Sequence, residues 1–248
     1  MFMSVKSAYE LQKLREIGKI VRHTLDETAK HVRPGITTLE LDAVARKVLE
    51  ANGAASAPPM VYGFPGALCI SVNEEAIHGI PSGRVLSDGD LVKLDCVAVK
   101  DGYYADAAIT VAAGSAGPTQ LALTHCAEKA FQAALRIVRA GARICEIGRA
   151  VEQTARREGF RVFRELCGHG VGRKIHEEPQ IPNYYEANNR QRLTEGLVIT
   201  IEPILAAGSA IPVLARDGWT IRSSDGALAA HYEHTLMVTR QGAILITA

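Results

Sequence analysis

Hydrophobic residues recur at every third or fourth position in four stretches of the chain, and this spacing predicts amphipathic helices. Two of these stretches open with a capping box, Ser7-Ala-Tyr-Glu10 and Thr37-Thr-Leu-Glu40, in which two polar side chains satisfy backbone donors of the first turn. Glycine follows every stretch, as is common at helix ends. The predicted helices run from Ser7 to a stop at Pro34-Gly35, from Thr37 to Asn52-Gly53, from Pro118 to Ala140 and from Ile144 to Glu158.

The longest pair of apolar runs lies at 90–111 and is divided by Asp101-Gly102, a strong signal of a β-hairpin because both turn residues must accept positive φ. The expected register pairs Lys100 with Tyr103, Val97 with Asp106 and Asp95 with Ala108. Asp95 and Asp106 are then diagonal neighbours on one face, roughly 7–8 Å apart. Since a buried carboxylate is costly without a cation, the two acids together predict a metal site, although a salt bridge or turn role is commoner for either alone.

Shorter apolar runs bounded by turn residues predict strands elsewhere. These strands are expected at 69–72, 161–166, 197–202, 218–221, 231–238 and 243–246. Proline and glycine punctuate residues 57–66, so this segment is predicted to be a loop. His78 is expected in a turn that follows the strand at 69–72.

The two halves of the sequence resemble each other. Three features of the first half recur in the same order in the second: Val32-Arg-Pro-Gly35, Glu40 and Gly53 correspond to Val138-Arg-Ala-Gly141, Glu146 and Gly159. An acid also ends an apolar strand both times, in residues 89–95 and 196–202. Chance matching in a glycine-rich chain is the alternative. We predict one domain, residues 1–248, built from two related α+β halves at about 7–112 and 118–248, with a site between them.

The composition narrows the class of protein. A chain of 248 residues with 47% hydrophobic and 22% charged residues can form the large core of a soluble globular domain. Its net charge of +1 gives no electrostatic reason to expect nucleic acid or a membrane as a partner. Residues 1–6 lack a signal-peptide core, and the five dispersed cysteines fit reduced thiols, so a cytoplasmic location is expected.

Four acids and one histidine are the strongest candidates for chemistry. They are Asp95, Asp106, His169, Glu202 and Glu233. This oxygen-rich set suits manganese, iron(II) or cobalt and tolerates zinc. Four negative charges exceed what one divalent ion neutralises, so two ions, able to generate a hydroxide nucleophile, are expected. His169 lies between glycines that would let its backbone approach a metal or ligand, although a structural role is commoner for a single histidine.

Six motifs follow one another from about residue 7 to the C-terminus. They are Asn73-Glu-Glu-Ala-Ile-His-Gly-Ile-Pro81, Asp88-Gly-Asp-Leu-Val-Lys-Leu-Asp95 with Asp106 eleven residues on, Cys167-Gly-His-Gly-Val-Gly172, His176-Glu-Glu-Pro179, Thr200-Ile-Glu-Pro203 and Tyr232-Glu-His-Thr235. Together they resemble the type I methionine aminopeptidases. The resemblance implies an α+β pita-bread fold with a central antiparallel sheet covered by helices. It also implies a dinuclear metalloexopeptidase that removes the initiator methionine from nascent proteins and peptides through a metal-bridging hydroxide.

The resemblance also implies roles for single residues. The five candidates fall where the family has its metal ligands, and Glu202 would in addition carry a proton to the leaving amine. His78 falls on a histidine that contacts the substrate, and His176 on one that polarises the scissile carbonyl. Without the family pattern, a turn histidine and a surface histidine would be the preferred interpretations of these two. The expected walls of the methionine pocket are Tyr62, Phe64, Cys69 and Trp219.

The chain departs from the family pattern in two places. Residues 58–61 replace the usual aromatic or cysteine side chains, and Ala107-Ala108 replaces a usual hydroxyl residue, which puts substrate affinity and turnover in doubt. The expected partners are the N-termini of nascent polypeptides and peptides, and the protein is expected to be a monomer. Action close to the ribosome is a further possibility. An Xaa-Pro peptidase of the prolidase or aminopeptidase P type and a catalytically inactive binding module of the same fold are the alternatives.

Overall fold

The computed structural model describes residues 4–248. The prediction that residues 1–6 lack a signal-peptide core therefore falls partly outside the described residues. The helices are α1 Ala8–Ala29, α2 Thr38–Ala51, α3 Ala57–Tyr62, α4 Pro118–Leu135 and α5 Ile144–Arg157. The strands of the first half are β1 Ala55–Ser56, β2 Cys69–Val72, β3 Glu75–Ile77, β4 Leu91–Lys100 and β5 Tyr103–Ala112. Those of the second half are β6 Arg161–Val162, β7 Cys167–Gly170, β8 Glu177–Pro182, β9 Val198–Ile201, β10 Ile204–Ala206, β11 Pro212–Leu214, β12 Ile221–Ser223, β13 Ala229–His231, β14 Glu233–Val238 and β15 Ala243–Leu245.

The four long helices form where the hydrophobic spacing predicts them. Ser7 caps α1 by accepting a hydrogen bond from the backbone N–H of Glu10, and Thr37 and Glu40 form the full capping box of α2. Helix α4 ends at Leu135, five residues before the predicted Ala140, because i→i+3 turns replace the helical ladder there.

The prediction that residues 57–66 form a loop is wrong for its first part, which is helix α3. Pro58 and Pro59 lie in the first turn of α3, where the missing N–H of proline costs no helical hydrogen bond. Gly63, at φ 73°, ends the helix in the left-handed conformation. The predicted strand at 161–166 is likewise shorter than expected and ends at Val162.

A nine-stranded sheet with antiparallel pairings forms the centre of the structure. Its order is β1-β4-β5-β14-β9-β7-β8, with β2 also paired to β4 and β15 to β14. The hairpin of β4 and β5 has the predicted register, in which Val97 pairs with Asp106 and Asp95 with Ala108. Asp101 and Gly102 both have positive φ, as its two-residue turn requires.

Two helix pairs cover this sheet, each over its own hydrophobic cluster. Leu14 of α1 and Leu41 of α2 belong to a cluster with Leu94 of the sheet, and Phe131 of α4 and Ile147 of α5 belong to a second one. Burying each such side chain contributes about 1.5–3 kcal/mol. The structure is therefore mixed α and β, with helices packed on a central antiparallel sheet.

The internal repeat stays a prediction. Gly35 and Gly141, which correspond to each other in the predicted repeat, have φ angles of 87° and 88°. Gly89 and Gly196, the next pair, have φ angles of 86° and 82°. Within residues 4–248, no helix is both long enough and apolar enough to span a bilayer.

Candidate metal centre

The five predicted ligands lie on five neighbouring strands of the central sheet. From one side to the other, these are Asp95 on β4, Asp106 on β5, Glu233 on β14, Glu202 directly after β9 and His169 on β7. Ala108 pairs with Asp95 on one side and with Glu233 on the other, so the two acids lie in one row across three strands. Strand order therefore brings together residues that are far apart in the sequence.

His169 lies at a register shift of β7, between the paired residues Gly168 and Gly170. A Cβ atom on Gly168 would be 2.6 Å from the carbonyl oxygen of Thr200, and one on Gly170 would be 2.2 Å from that of Glu178. Glycine is needed at both positions because carbonyl groups of the neighbouring strands lie against the backbone there. The close approach of a metal or ligand to this segment stays a prediction. A bulge of this kind re-aims the side chain at its centre.

The side chains of the centre converge with their polar atoms buried. His169 Nε2 lies 3.7 Å from Asp106 Oδ2 and 3.7 Å from Glu202 Oε1. Its Nδ1 lies 2.9 Å from the Gly170 carbonyl oxygen, to which an Nδ1–H donates, and Nε2 is then left with a lone pair for a ligand. One buried oxygen each of Asp95, Asp106 and Glu233 has no hydrogen-bond partner among the described residues.

Crowding changes the acidity of these groups. Burial is the largest cause that raises the pKa of all four carboxyl groups, and neighbouring carboxylates raise that of Asp106, Glu202 and Glu233 further. The pKa of Asp95 rises to about 7, although a hydrogen bond with Asp106 lowers it in part. Burial also lowers the pKa of His169 to about 3, so its ring is neutral at pH 7. A divalent cation would bind the unpartnered oxygens and the neutral imidazole and would offset the repulsion between the carboxylates. The residues therefore fit a metal.

These groups form the floor of a cavity of about 570 Å³. His78 and His176 both line it. His78 has a left-handed backbone with φ 59°, which costs about 1–3 kcal/mol and is typical of functional sites. Burial lowers its pKa to about 4. His176 lies at the rim, where its Nδ1 is 2.7 Å from the hydroxyl oxygen of Tyr62.

The remaining walls are largely apolar. Phe64 and Trp219 pack edge to face with ring centroids 5.3 Å apart, and Tyr62 and Cys69 also line the cavity. All four predicted pocket residues are therefore brought to one volume with the acids. Burial, followed by the charge of Asp95, raises the pKa of the Cys69 thiol well above its usual range, so it stays protonated.

Comparison with known proteins decides the family. The sequence model of metallopeptidase family M24 matches residues 12–240. The chain belongs to metallopeptidase family M24. Among its M24 relatives, a methionine aminopeptidase of Aquifex aeolicus is 39% identical over 100% of this chain and 99% of its own length. Methionine aminopeptidase 2 of Bacillus subtilis is 41% identical, with 99% of each chain covered.

Solved M24 structures have the same architecture. The methionine aminopeptidase of Thermotoga maritima matches with a TM-score of 0.96 and 34% identity, covering 100% of this chain and 99% of that one. The prolidase of Pyrococcus furiosus, at 23% identity and a TM-score of 0.79, covers 98% of this chain and 65% of that one, and shares the fold alone. The predicted pita-bread fold and the resemblance to methionine aminopeptidases are confirmed. As an M24 metallopeptidase, the chain is a metal-dependent hydrolase that uses divalent metal.

Sequence reasoning missed two features of this M24 site. Tyr62 was predicted only as a pocket wall, whereas its hydroxyl also contacts His176. His231 was not selected, yet it is buried beside Glu202 and Glu233. The sequence contained a signal for His231, namely its spacing of two residues from Glu233. Residues two apart on an extended chain point to the same side, as His231 and Glu233 do here.

Proposed function

We propose that this chain is a methionyl aminopeptidase that removes the N-terminal methionine from peptides and nascent proteins. The observation that carries the proposal is a set of four carboxylates, three of them buried and that of Asp95 half-buried, which lines a largely apolar cavity together with one buried imidazole. The negative floor suits positive charge, namely divalent ions and the free α-amino group of a peptide. The apolar walls suit a thioether side chain.

Five residues would hold the metal: Asp95, Asp106, His169, Glu202 and Glu233. Their four carboxylates balance two divalent ions, of cobalt, manganese, iron(II) or zinc. When bound, such ions polarise a carbonyl group and lower the pKa of water towards neutrality. The substrate's amino group would lie next to the same carboxylates, which explains why cleavage would be confined to the first residue of a chain.

The other polar residues act on the substrate directly. With Nδ1 of His176 accepting from Tyr62, its Nε2 carries the hydrogen and donates to the scissile carbonyl oxygen. His78, which lines the same cavity, contacts the substrate near the amide nitrogen. A carboxylate oxygen of Glu202 takes up a proton and gives it to the leaving amine.

The apolar walls select the side chain. Phe64 and Trp219 present aromatic edges and faces, and sulfur makes favourable contacts with such rings at about 5 Å. Cys69 and Tyr62 complete the pocket. The substitutions at residues 58–61 lie next to this pocket, so they would affect substrate affinity more than the metal centre.

We further propose that the enzyme acts in the cytoplasm. All five cysteines are free thiols, which fits a reducing compartment. Action close to the ribosome and a monomeric state stay predictions.

A small peptide panel tests the function. With added cobalt, manganese or iron(II), Met-Ala-Ser should be cleaved, while Leu-Ala-Ser and Xaa-Pro peptides should not. Chelation should abolish the activity, and metal should restore it. Preferential cleavage of Xaa-Pro bonds would instead favour the prolidase-like alternative, and a metal-loaded protein without any cleavage would favour a binding module.

The role of His176 has its own test. Removing one donor to a developing oxyanion costs about 10²–10³-fold in kcat, so His176→Ala should lower kcat by that factor. His23→Ala, on α1 and away from the cavity, is the matched control and should leave kcat unchanged. A kcat of His176→Ala within a few-fold of wild type would remove the residue from this role.

A further inference from the structure

His231, the last residue of β13, faces the same centre as the five predicted ligands. It is only 1% exposed. Its Nε2 lies 3.6 Å from Glu202 Oε2 and 3.5 Å from Glu233 Oε2. Within the part of the chain that the structure describes, neither ring nitrogen has a hydrogen-bond partner. A buried imidazole with two unsatisfied nitrogens is costly, so we expect at least one ring nitrogen to bind a partner in the active enzyme.

The arrangement repeats that of His169 on the other side of Glu202. Oε1 of Glu202 faces His169 at 3.7 Å, and Oε2 faces His231 at 3.6 Å. Hydrogen bonds between N–H and O are normally 2.7–3.2 Å long, so these separations exceed that range. Two ligands about 2.1 Å from one ion, at the tetrahedral angle, lie about 3.4 Å apart. The spacing at both histidines is close to that of two ligands of a shared ion.

The backbone of His231 is held independently of its ring. The Thr110 hydroxyl of β5 accepts a hydrogen bond from the His231 N–H at 2.9 Å and donates one to the His231 carbonyl at 2.8 Å. On β10, Ile204 pairs with the same residue. The backbone that carries the imidazole is thus held by contacts that do not involve the ring.

We propose that Nε2 of His231 is a sixth protein ligand of the metal centre, which then contains two imidazoles rather than one. The inference rests on the proposed metal-dependent function and names a ligand that the family resemblance does not supply. Imidazole favours zinc and cobalt over manganese more than carboxylate does. His231 should therefore shift the metal preference of this chain towards the nitrogen-preferring ions.

Proton NMR of the cobalt(II)-loaded protein tests the proposal without reference to activity. Each imidazole bound through Nε2 contributes a strongly shifted Nδ1–H resonance that disappears in deuterated water. We expect two such resonances in wild type, and one each in His231→Gln and His169→Gln. His176→Gln, a histidine of the same cavity that is not a proposed ligand, should retain both.

Metal affinity gives a second measurement. Loss of a group that only supports a ligand weakens metal binding by about 10–100-fold, so loss of a direct ligand should weaken zinc binding by at least about 100-fold. By competition with a chelator, His231→Gln should lose more affinity for zinc than for manganese. His231→Asn serves as a second variant if the glutamine variant folds poorly.

The outcomes separate this inference from the proposed function. If His231→Gln keeps every shifted resonance of wild type, or keeps the zinc affinity of wild type, His231 is not a ligand, and the five-residue centre is unaffected. If wild-type protein shows no shifted resonance and binds no cobalt, the metal-dependent function itself fails, and this inference fails with it.

Discussion

Removing the metal should make the stability of this protein depend on pH through Asp95. Its pKa rises from 3.8 to about 7 in the folded, metal-free chain, mainly through burial. Each pKa unit corresponds to about 1.36 kcal/mol, so the ionised carboxylate destabilises the fold by about 4 kcal/mol. Since the pKa is raised in the folded state, the unfolded state ionises first. The contribution of Asp95 to the stability of the metal-free protein therefore falls as pH increases from about 4 to about 7 and is constant above that.

Asp95→Asn isolates this contribution, because asparagine has a similar size and does not ionise. Urea unfolding of chelator-treated wild type and variant should be measured from pH 4 to pH 8. The free energy of unfolding of wild type minus that of the variant should fall by about 4 kcal/mol over this range. With metal bound to wild type, the fall should disappear. A difference that is independent of pH in the metal-free proteins would refute the link between burial and the cost of ionisation.

Two further predictions concern the cavity rim and the strand carrying the histidine ligand. Tyr62→Phe removes the exposed hydrogen bond to His176, which is worth about 0.5–1.5 kcal/mol. The kcat should therefore fall about 2–10-fold with KM unchanged. The control Tyr9→Phe, on α1, should change neither constant. An equal loss in both variants would exclude a specific role. Gly170→Ala places a Cβ 2.2 Å from the Glu178 carbonyl oxygen and should destabilise the protein by about 1–3 kcal/mol, measured by thermal unfolding. Gly83→Ala has open space around the new Cβ and should change stability by less than about 0.5 kcal/mol. Equal stability of the two glycine variants would contradict the close strand packing.

The hairpin acids could be predicted from the sequence because the turn sets the register. Asp101-Gly102 fixes a two-residue loop, and every pair along β4 and β5 then follows from alternation alone. The apposition of Asp95 and Asp106 is therefore a local property of about twenty residues. Capping boxes predicted the starts of α1 and α2 for the same reason, since each involves neighbours in sequence.

The rest depends on contacts between distant segments. The order β5-β14-β9-β7 brings Glu233, Glu202 and His169 to the hairpin, and no local pattern specifies that order. The expected site between the two halves and the shared ligand chemistry grouped these residues, and the family motifs assigned each of them as a ligand. Helix α3 was missed because proline was interpreted as a loop signal, although it is tolerated in the first turn of a helix. The unpartnered ring of His231 becomes visible only when the pairing of β13 with β10 places it beside Glu202.

The two departures from the family pattern have different structural positions, and this difference decides which property each can change. Ala108 pairs with Asp95 in one adjacent strand and with Glu233 in the other, so it is a direct neighbour of two of the predicted ligands. Directly opposed residues of neighbouring strands are only about 4.5–5.5 Å apart, and a missing hydroxyl there removes a hydrogen-bond donor from the carboxylates themselves. Residues 58–61 belong to α3, outside the sheet, where Pro58 lines the cavity and Met60 and Val61 are exposed. The first departure therefore acts on the metal centre, whereas the second acts on substrate entry and leaves the five-strand arrangement of ligands intact.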